Sequence, residues 1–213
     1  MTDKVLEELK AGIRRFQHEI YPAQAAQYQR VMAEPQRPHA LIITCADSRI
    51  HPDVLTQAEP GEVFVTRNIG NMVPAYGEML GGVSAVLEFA VCAMQVRHIA
   101  VCGHSECGAM KALLEPDSVE PMPTVKAWLK NAKAALVRAR EIEALGIAEG
   151  RTVDLLPLLT EQNVLLQMKH VRSHPSVADA LKFGELTISG WVYDIAAGEV
   201  RICRDGEESF QAV

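Results

Sequence analysis

Ala40-Leu41-Ile42-Ile43-Thr44-Cys45-Ala46-Asp47-Ser48-Arg49 opens as an unbroken apolar and β-branched run and ends on side chains able to do chemistry. Apolar residues in continuous rather than alternating order suit a strand buried on both faces. Val63-Phe64-Val65-Thr66 and His98-Ile99-Ala100-Val101-Cys102 repeat the pattern. Between these two lies Gly81 to Met94, long and Ala-rich enough for a buried crossover helix. Strand, helix and strand in alternation predict an α/β fold with a central, mostly parallel β-sheet flanked by helices.

Outward from that centre the period changes. Residues 3–33 read as two helical stretches, with Leu6, Leu9, Ile13 and Phe16 spaced for one face and Pro22 opening the second stretch. Glu34-Pro35-Gln36-Arg37-Pro38 ends helix formation, because each proline biases its predecessor toward extended geometry. Beyond Gly108 helices are expected near 124–144, 152–172 and 175–183. Residues 186–194 and 200–203, joined by a turn at 196–199, predict a C-terminal β-hairpin at an edge of the sheet. Without linker, repeat or low-complexity block, residues 1–213 read as one domain, with 1–35 as an N-terminal helical arm.

A chain of 213 residues buries roughly 70% of its unfolded surface, enough for a core without covalent staples. Its 21 Lys and Arg against 27 Asp and Glu give a formal charge of −6, which argues against nucleic-acid or anionic-membrane partners. The charged start, Met1-Thr2-Asp3-Lys4, has no apolar signal core, and no run reaches membrane-spanning length, so a cytoplasmic protein is expected. In a reducing compartment the five cysteines suit metal binding, catalysis or plain burial better than disulfides.

Ligands of open parallel sheets collect beyond the carboxyl ends of the strands. Cys45 ends the first predicted strand, and Gly103-His104-Ser105-Glu106-Cys107-Gly108 follows the third. Thiolate and imidazole are zinc ligands, and three protein ligands leave a fourth position for water. Cys45, His104 and Cys107 would supply such a set; the competing reading is that the cysteines are buried as small hydrophobes. Asp47 could be a fourth ligand, or a proton acceptor held by the guanidinium of Arg49. Cys92, Cys102 and Cys203 fit core packing; His18, His39, His51, His98, His170 and His174 lack a ligand frame; Trp128 and Trp191 suit core or interface. Glycine-rich nucleotide signatures are absent.

Cys45-Ala46-Asp47-Ser48-Arg49, Glu59-Pro60-Gly61-Glu62-Val63-Phe64-Val65-Thr66-Arg67-Asn68-Ile69-Gly70-Asn71 and Cys102-Gly103-His104-Ser105-Glu106-Cys107-Gly108-Ala109-Met110, in that order, resemble β-class carbonic anhydrase. The similarity runs from Phe16 to the Gly190–Ile195 segment. It implies reversible hydration of carbon dioxide to bicarbonate and a proton through a zinc-bound hydroxide, with one Zn2+ per subunit on Cys45, His104 and Cys107. Asp47 and Arg49 then match the pair that orients the hydroxide, Phe64, Ile69 and Phe89 the carbon dioxide pocket, and the Gly108 N–H a donor to the motif aspartate. Gln36 matches a substrate-binding glutamine supplied by a neighbouring subunit, so a homodimer or homotetramer follows, with the arm wrapped around its partner.

Several departures qualify what the resemblance implies. Phe89 stands where some relatives have tyrosine, and Ala93 where some plant-type relatives carry a histidine able to shuttle protons. Some relatives close by moving the motif aspartate onto zinc, and one subgroup holds that state with bicarbonate in a Trp, Arg and Tyr pocket. The matching positions are Ile42, Arg67 and Tyr193, so bicarbonate regulation of that kind is not expected. Hydrolysis of carbonyl sulfide or carbon disulfide, and a non-catalytic zinc protein, are the competing functions.

Overall fold

The computed structural model describes residues 3–78 and 81–213; Met1, Thr2, Met79 and Leu80, and with them the first two residues of the expected arm, lie outside the described residues. The chain forms two compact units, Met1–Arg37 and Pro38–Val213.

In the first unit, α1 (Lys4–Arg15) starts at Asp3, whose carboxylate accepts the Leu6 N–H at 3.1 Å. A π turn over Phe16–Ile20 leads directly into α2 (Tyr21–Ala33). The two expected stretches are thus joined without a break. Pro22 explains the π turn: its ring has no N–H to give to the preceding turn and would crowd the carbonyl four residues earlier, which a widened turn relieves. Leu6, Leu9, Ile13 and Phe16 form the predicted stripe and all are exposed.

The second unit is built on a six-stranded sheet: β1 (Ala40–Cys45), β2 (Val63–Asn68), β3 (His98–His104), β4 (Thr187–Asp194), β5 (Glu199–Arg204) and β6 (Gln211–Ala212). Its order is β2-β1-β3-β4-β5-β6, parallel through β4 and antiparallel beyond. The terminal hairpin lies at one side of the sheet as expected. The two-residue β6, too short for a sequence signal, pairs outside it.

Nine helices among the described residues complete the set with α3 (Pro52–Thr56), α4 (Gly82–Glu88), α5 (Gly108–Leu114), α6 (Pro123–Trp128), α7 (Lys133–Ala148), α8 (Leu155–Arg172) and α9 (Pro175–Lys182). The crossover α4 continues as a π turn through Ala93, close to the predicted end. The single helix expected near 124–144 is instead broken. Asn131 donates its side-chain N–H to the Trp128 carbonyl at 2.8 Å, competing with the helix ladder, and residues 129–132 tighten into a 3₁₀ turn. The short α3 and α5 also lacked a periodic signal.

Leu41, Ile43, Ile99 and Val101 of the sheet pack with Leu87 of α4 and with Val164, Met168 and Val171 of α8. Each such side chain, fully buried, contributes about 1.5–3 kcal/mol. Two strand glycines let α8 lie unusually close. A Cβ on Gly103 would sit 2.7 Å from Val164 Cγ2, and one on Gly190 2.6 Å from both Met168 Sδ and Val164 Cγ1. That approach brings α8 against the carboxyl ends of the strands. No helix among the described residues is long and apolar enough to cross a membrane.

Candidate active site

Strand register sets the first two site residues side by side. Thr44 of β1 pairs with Cys102 of β3, so Cys45 and His104 end neighbouring strands at one edge. After His104 the chain turns through Glu106, at a left-handed φ of 58°, and Cys107 immediately precedes α5. The Sγ atoms of Cys45 and Cys107 and a ring nitrogen of His104 lie within 4.8 Å of one another, and all three residues are buried.

This donor set fits a tetrahedral soft-ligand ion. His104 Nδ1 lies 2.8 Å from the Ser105 carbonyl, which must receive an N–H; Nε2 is thereby left as the bare nitrogen, buried and without a hydrogen-bond partner. An acceptor so placed costs free energy unless something binds it. The Cys45 sulfur accepts the Gly70 N–H at 3.4 Å. Hydrogen bonding from Cys107 is the largest cause holding the Cys45 thiol below the ordinary range, while the same contact, seen from Cys107, and burial push Cys107 up. The contact between the two sulfurs thus favours ionisation at Cys45 over Cys107, and a bound cation would favour the thiolate form of both.

Asp47 lies two residues beyond Cys45 and outside the donor cluster. Arg49 Nε donates to its Oδ1 at 2.9 Å, Arg49 Nη2 to Oδ2 at 2.7 Å, and the Arg49 backbone N–H to Oδ1 at 3.0 Å. This fork, chiefly through its side-chain bonds, holds the Asp47 carboxyl well below the usual carboxylate range. Arg67 fixes the loop behind it, donating from Nη2 to the Asp47 carbonyl at 2.6 Å and from Nε to the Cys45 carbonyl at 3.1 Å. Asp47 is thus held off the donor cluster by its arginine.

The apolar positions come together in part. Phe64 and Phe89 have ring centroids 6.3 Å apart, and Ile69 immediately precedes Gly70. Phe89 and Ile69 remain 47% and 44% exposed, so the described residues of one copy do not enclose a pocket there. The Gly108 N–H is not among the donors to Asp47, whose carboxylate is occupied by Arg49. Gln36 belongs to the unit ending at Arg37. His98, His170 and His174 are hydrogen-bonded to Thr187 and Ser189, to the Val73 carbonyl and to the Pro74 carbonyl, as satisfied histidines.

A row of polar side chains on α8 escaped the sequence reading. Asn163, Gln167 and His170, with His174 just beyond the helix, follow one another at four- and three-residue spacing on its inward side. They hold the segment Gly70–Pro74 by its backbone: Asn163 Nδ2 donates to the Gly70 carbonyl at 3.1 Å and Gln167 Oε1 accepts the Val73 N–H at 2.8 Å. Their helical spacing was the signal available, polar where the apolar face should continue.

A family model described as carbonic anhydrase matches residues 40–200. The chain belongs to the carbonic anhydrase family. A carbonic anhydrase of Pseudomonas aeruginosa is 46% identical over 189 residues, covering 89% of this chain and 83% of that protein. The solved β-carbonic anhydrase CcaA superposes with a TM-score of 0.87 at 34% identity, covering 98% of this chain and 92% of its own. A structure reported among two tetrameric β-carbonic anhydrases of Sordaria macrospora gives a TM-score of 0.66 at 28% identity, covering 95% and 94%. The resemblance to β-class carbonic anhydrase is therefore shown, and the enzyme class is that of a lyase acting as carbonic anhydrase.

Proposed function

We propose that this carbonic anhydrase hydrates carbon dioxide reversibly with zinc held by Cys45, His104 and Cys107. The observation that carries the reading is the bare, buried His104 Nε2 on a ring that clusters within 4.8 Å of two buried sulfurs. When bound, zinc supplies Lewis acidity that brings the pKa of a coordinated water toward about 7, a value whose type case is itself a carbonic anhydrase with three histidine ligands.

The side chains of the chain then divide the remaining work. Asp47, kept ionised by Arg49, is an acceptor only, so it takes a hydrogen bond from the attacking oxygen and turns a lone pair toward the substrate carbon. Phe64, Ile69 and Phe89 offer the apolar surface that an uncharged linear substrate requires, and Gln36 of a second copy supplies one donor to its oxygen. A C–O bond forms to the carbon of carbon dioxide, one proton passes to solvent, and bicarbonate leaves. The same Asp47–Arg49 pair weighs against a purely structural metal, which needs no held acceptor beside it.

A homodimer or homotetramer accompanies this reading. The exposed stripe Leu6, Leu9, Ile13 and Phe16 and the half-exposed Ile69 and Phe89 support it, because a second copy would cover both. A cytoplasmic setting suits five cysteines that are all free thiols. Stopped-flow hydration of carbon dioxide at pH 7 and 8.5, paired with metal analysis, tests the proposal. Rapid turnover that tracks about one zinc per chain supports it; zinc-loaded protein that turns over only carbonyl sulfide or carbon disulfide overturns it.

A further inference from the structure

Gly70 and Asn71 stand in the left-handed region, at φ of 75° and 48°, immediately after β2. For asparagine that conformation costs energy and persists only where surroundings enforce it. Gly70 cannot be exchanged, since a Cβ there would lie 2.8 Å from Ala109 Cβ. The backbone held in this shape delivers the Gly70 N–H to the Cys45 sulfur.

Asn68 clamps both the N–H and the carbonyl of Met72, and Trp128 Nε1 donates to the Ile69 carbonyl. The hold on the Gly70 carbonyl itself comes from α8, through two side chains that are fully buried, Asn163 and Gln167. Asn163 Nδ2 grips the Gly70 carbonyl at 3.1 Å, and its Oδ1 accepts Gln167 Nε2 at 2.9 Å. Gln167 is oriented in turn, because its Oε1 accepts the Val73 N–H while Nε2 also donates to the Asn131 carbonyl at 3.2 Å. With each amide held by the next, a reversal of either would oppose two oxygens or two N–H groups.

We propose that Asn163 and Gln167 are positioning residues of the metal centre: through Gly70 they fix the hydrogen bond to the Cys45 sulfur and thereby the retention and electronic environment of the ion. The proposal rests on Cys45, His104 and Cys107 being the metal site. The partner one step behind the ligand is the Gly70 N–H, a place that commonly governs metal affinity by about 10–100-fold, and the two amides act by holding it. Buried helix amides with only a packing role would leave the metal untouched.

The test uses the full-length protein loaded with cobalt(II), whose thiolate charge-transfer absorption reports on the sulfur, and follows loss of the ion to a chelator. Asn163→Ala removes the grip on Gly70. Gln167→Glu keeps volume and the acceptor for Val73 but turns the Asn163 amide around, setting its oxygen against the Gly70 carbonyl. Val171→Ala, a buried α8 position two turns beyond Asn163, gives a variant with a core defect and both amides retained. Expected are at least tenfold faster loss and a shifted charge-transfer band for Asn163→Ala and Gln167→Glu, with Val171→Ala matching the parent. If Asn163→Ala fails to fold, Gln167→Glu decides alone. Loss within twofold of the parent and an unshifted band in the folded amide variants overturns the proposal and leaves the metal site standing. Parent protein showing no cobalt-thiolate band overturns both.

Discussion

Arg49 reaches both carboxylate oxygens of Asp47, Nε to Oδ1 at 2.9 Å and Nη2 to Oδ2 at 2.7 Å, and so holds the carboxylate beside Cys45 without letting it join the sulfur and imidazole cluster. A planar fork is needed for that, since an ammonium cannot bind both oxygens in one plane. Arg49→Lys and Asp47→Asn are each expected to lower kcat for carbon dioxide hydration by about 10²–10⁴, the usual range for a lost proton-handling group, with zinc content unchanged. Stopped-flow kinetics with metal analysis checks it. Full activity in Asp47→Asn would remove the carboxylate from the mechanism.

The free thiols give a prediction that needs no turnover. Cys92 is exposed, whereas Cys102 is buried and pushed up to about 12 by desolvation, and Cys203 is buried and shifted upward for the same main reason. Metal-loaded protein should therefore release one equivalent of fast reaction with a small disulfide reagent, from Cys92. Stripping the metal should make Cys45 the next to react, slowed by burial but favoured over Cys102 and Cys203 because hydrogen bonding from Cys107 holds its thiol below the ordinary range. Peptide mapping of labelled protein identifies the two; a Cys102 label preceding the Cys45 label would contradict the assignment.

Much of this site could be read from residue order alone. Three strands carry their own signal in unbroken apolar runs, and Cys45 and His104 inherit their places from where those runs stop. β2, expected to be buried on both faces, is instead an edge strand and only half-buried, because nothing in its own run tells an edge from a centre. What could not be read is held by contacts distant in sequence. Asn163 lies 93 residues from Gly70, and nothing local to α8 announces that its polar spacing serves a loop after β2. The break at Asn131 is mixed: its side chain on the Trp128 carbonyl is a local cause, while the use of its own carbonyl by Gln167 from another helix is not visible nearby in sequence. The π turn at Phe16–Ile20, by contrast, follows from Pro22 within its own helix.

Close packing of α8 on the strands predicts a steep cost for the smallest substitution there. Gly190→Ala places a methyl 2.6 Å from Val164 Cγ1 and Met168 Sδ, and Gly103→Ala one 2.7 Å from Val164 Cγ2. Overpacking of this order costs about 1–3 kcal/mol. Met168 is flexible and yields, but Val164 is branched and cannot, so combining Gly190→Ala with Val164→Ala should recover part of the loss. Denaturant unfolding with all three variants measures the coupling.

His98 is expected to make stability depend on pH near neutrality. Its ring lies between the Thr187 and Ser189 hydroxyls, each 2.7 Å from a ring nitrogen, and burial lowers its pKa below the ordinary histidine value. His174 is shifted the same way, chiefly by burial. For a base with a depressed folded pKa the unfolded chain binds more protons, so stability is complete above the ordinary value near 6.5 and falls as pH drops from there toward the folded pKa. Thermal midpoints should decline between pH 7 and 5 in the parent protein. His98→Gln, which keeps a donor and an acceptor but does not titrate, should flatten that decline while lowering the midpoint at pH 7.5. Equal slopes in the two proteins would show that protonation of His98 is not what weakens the sheet in acid.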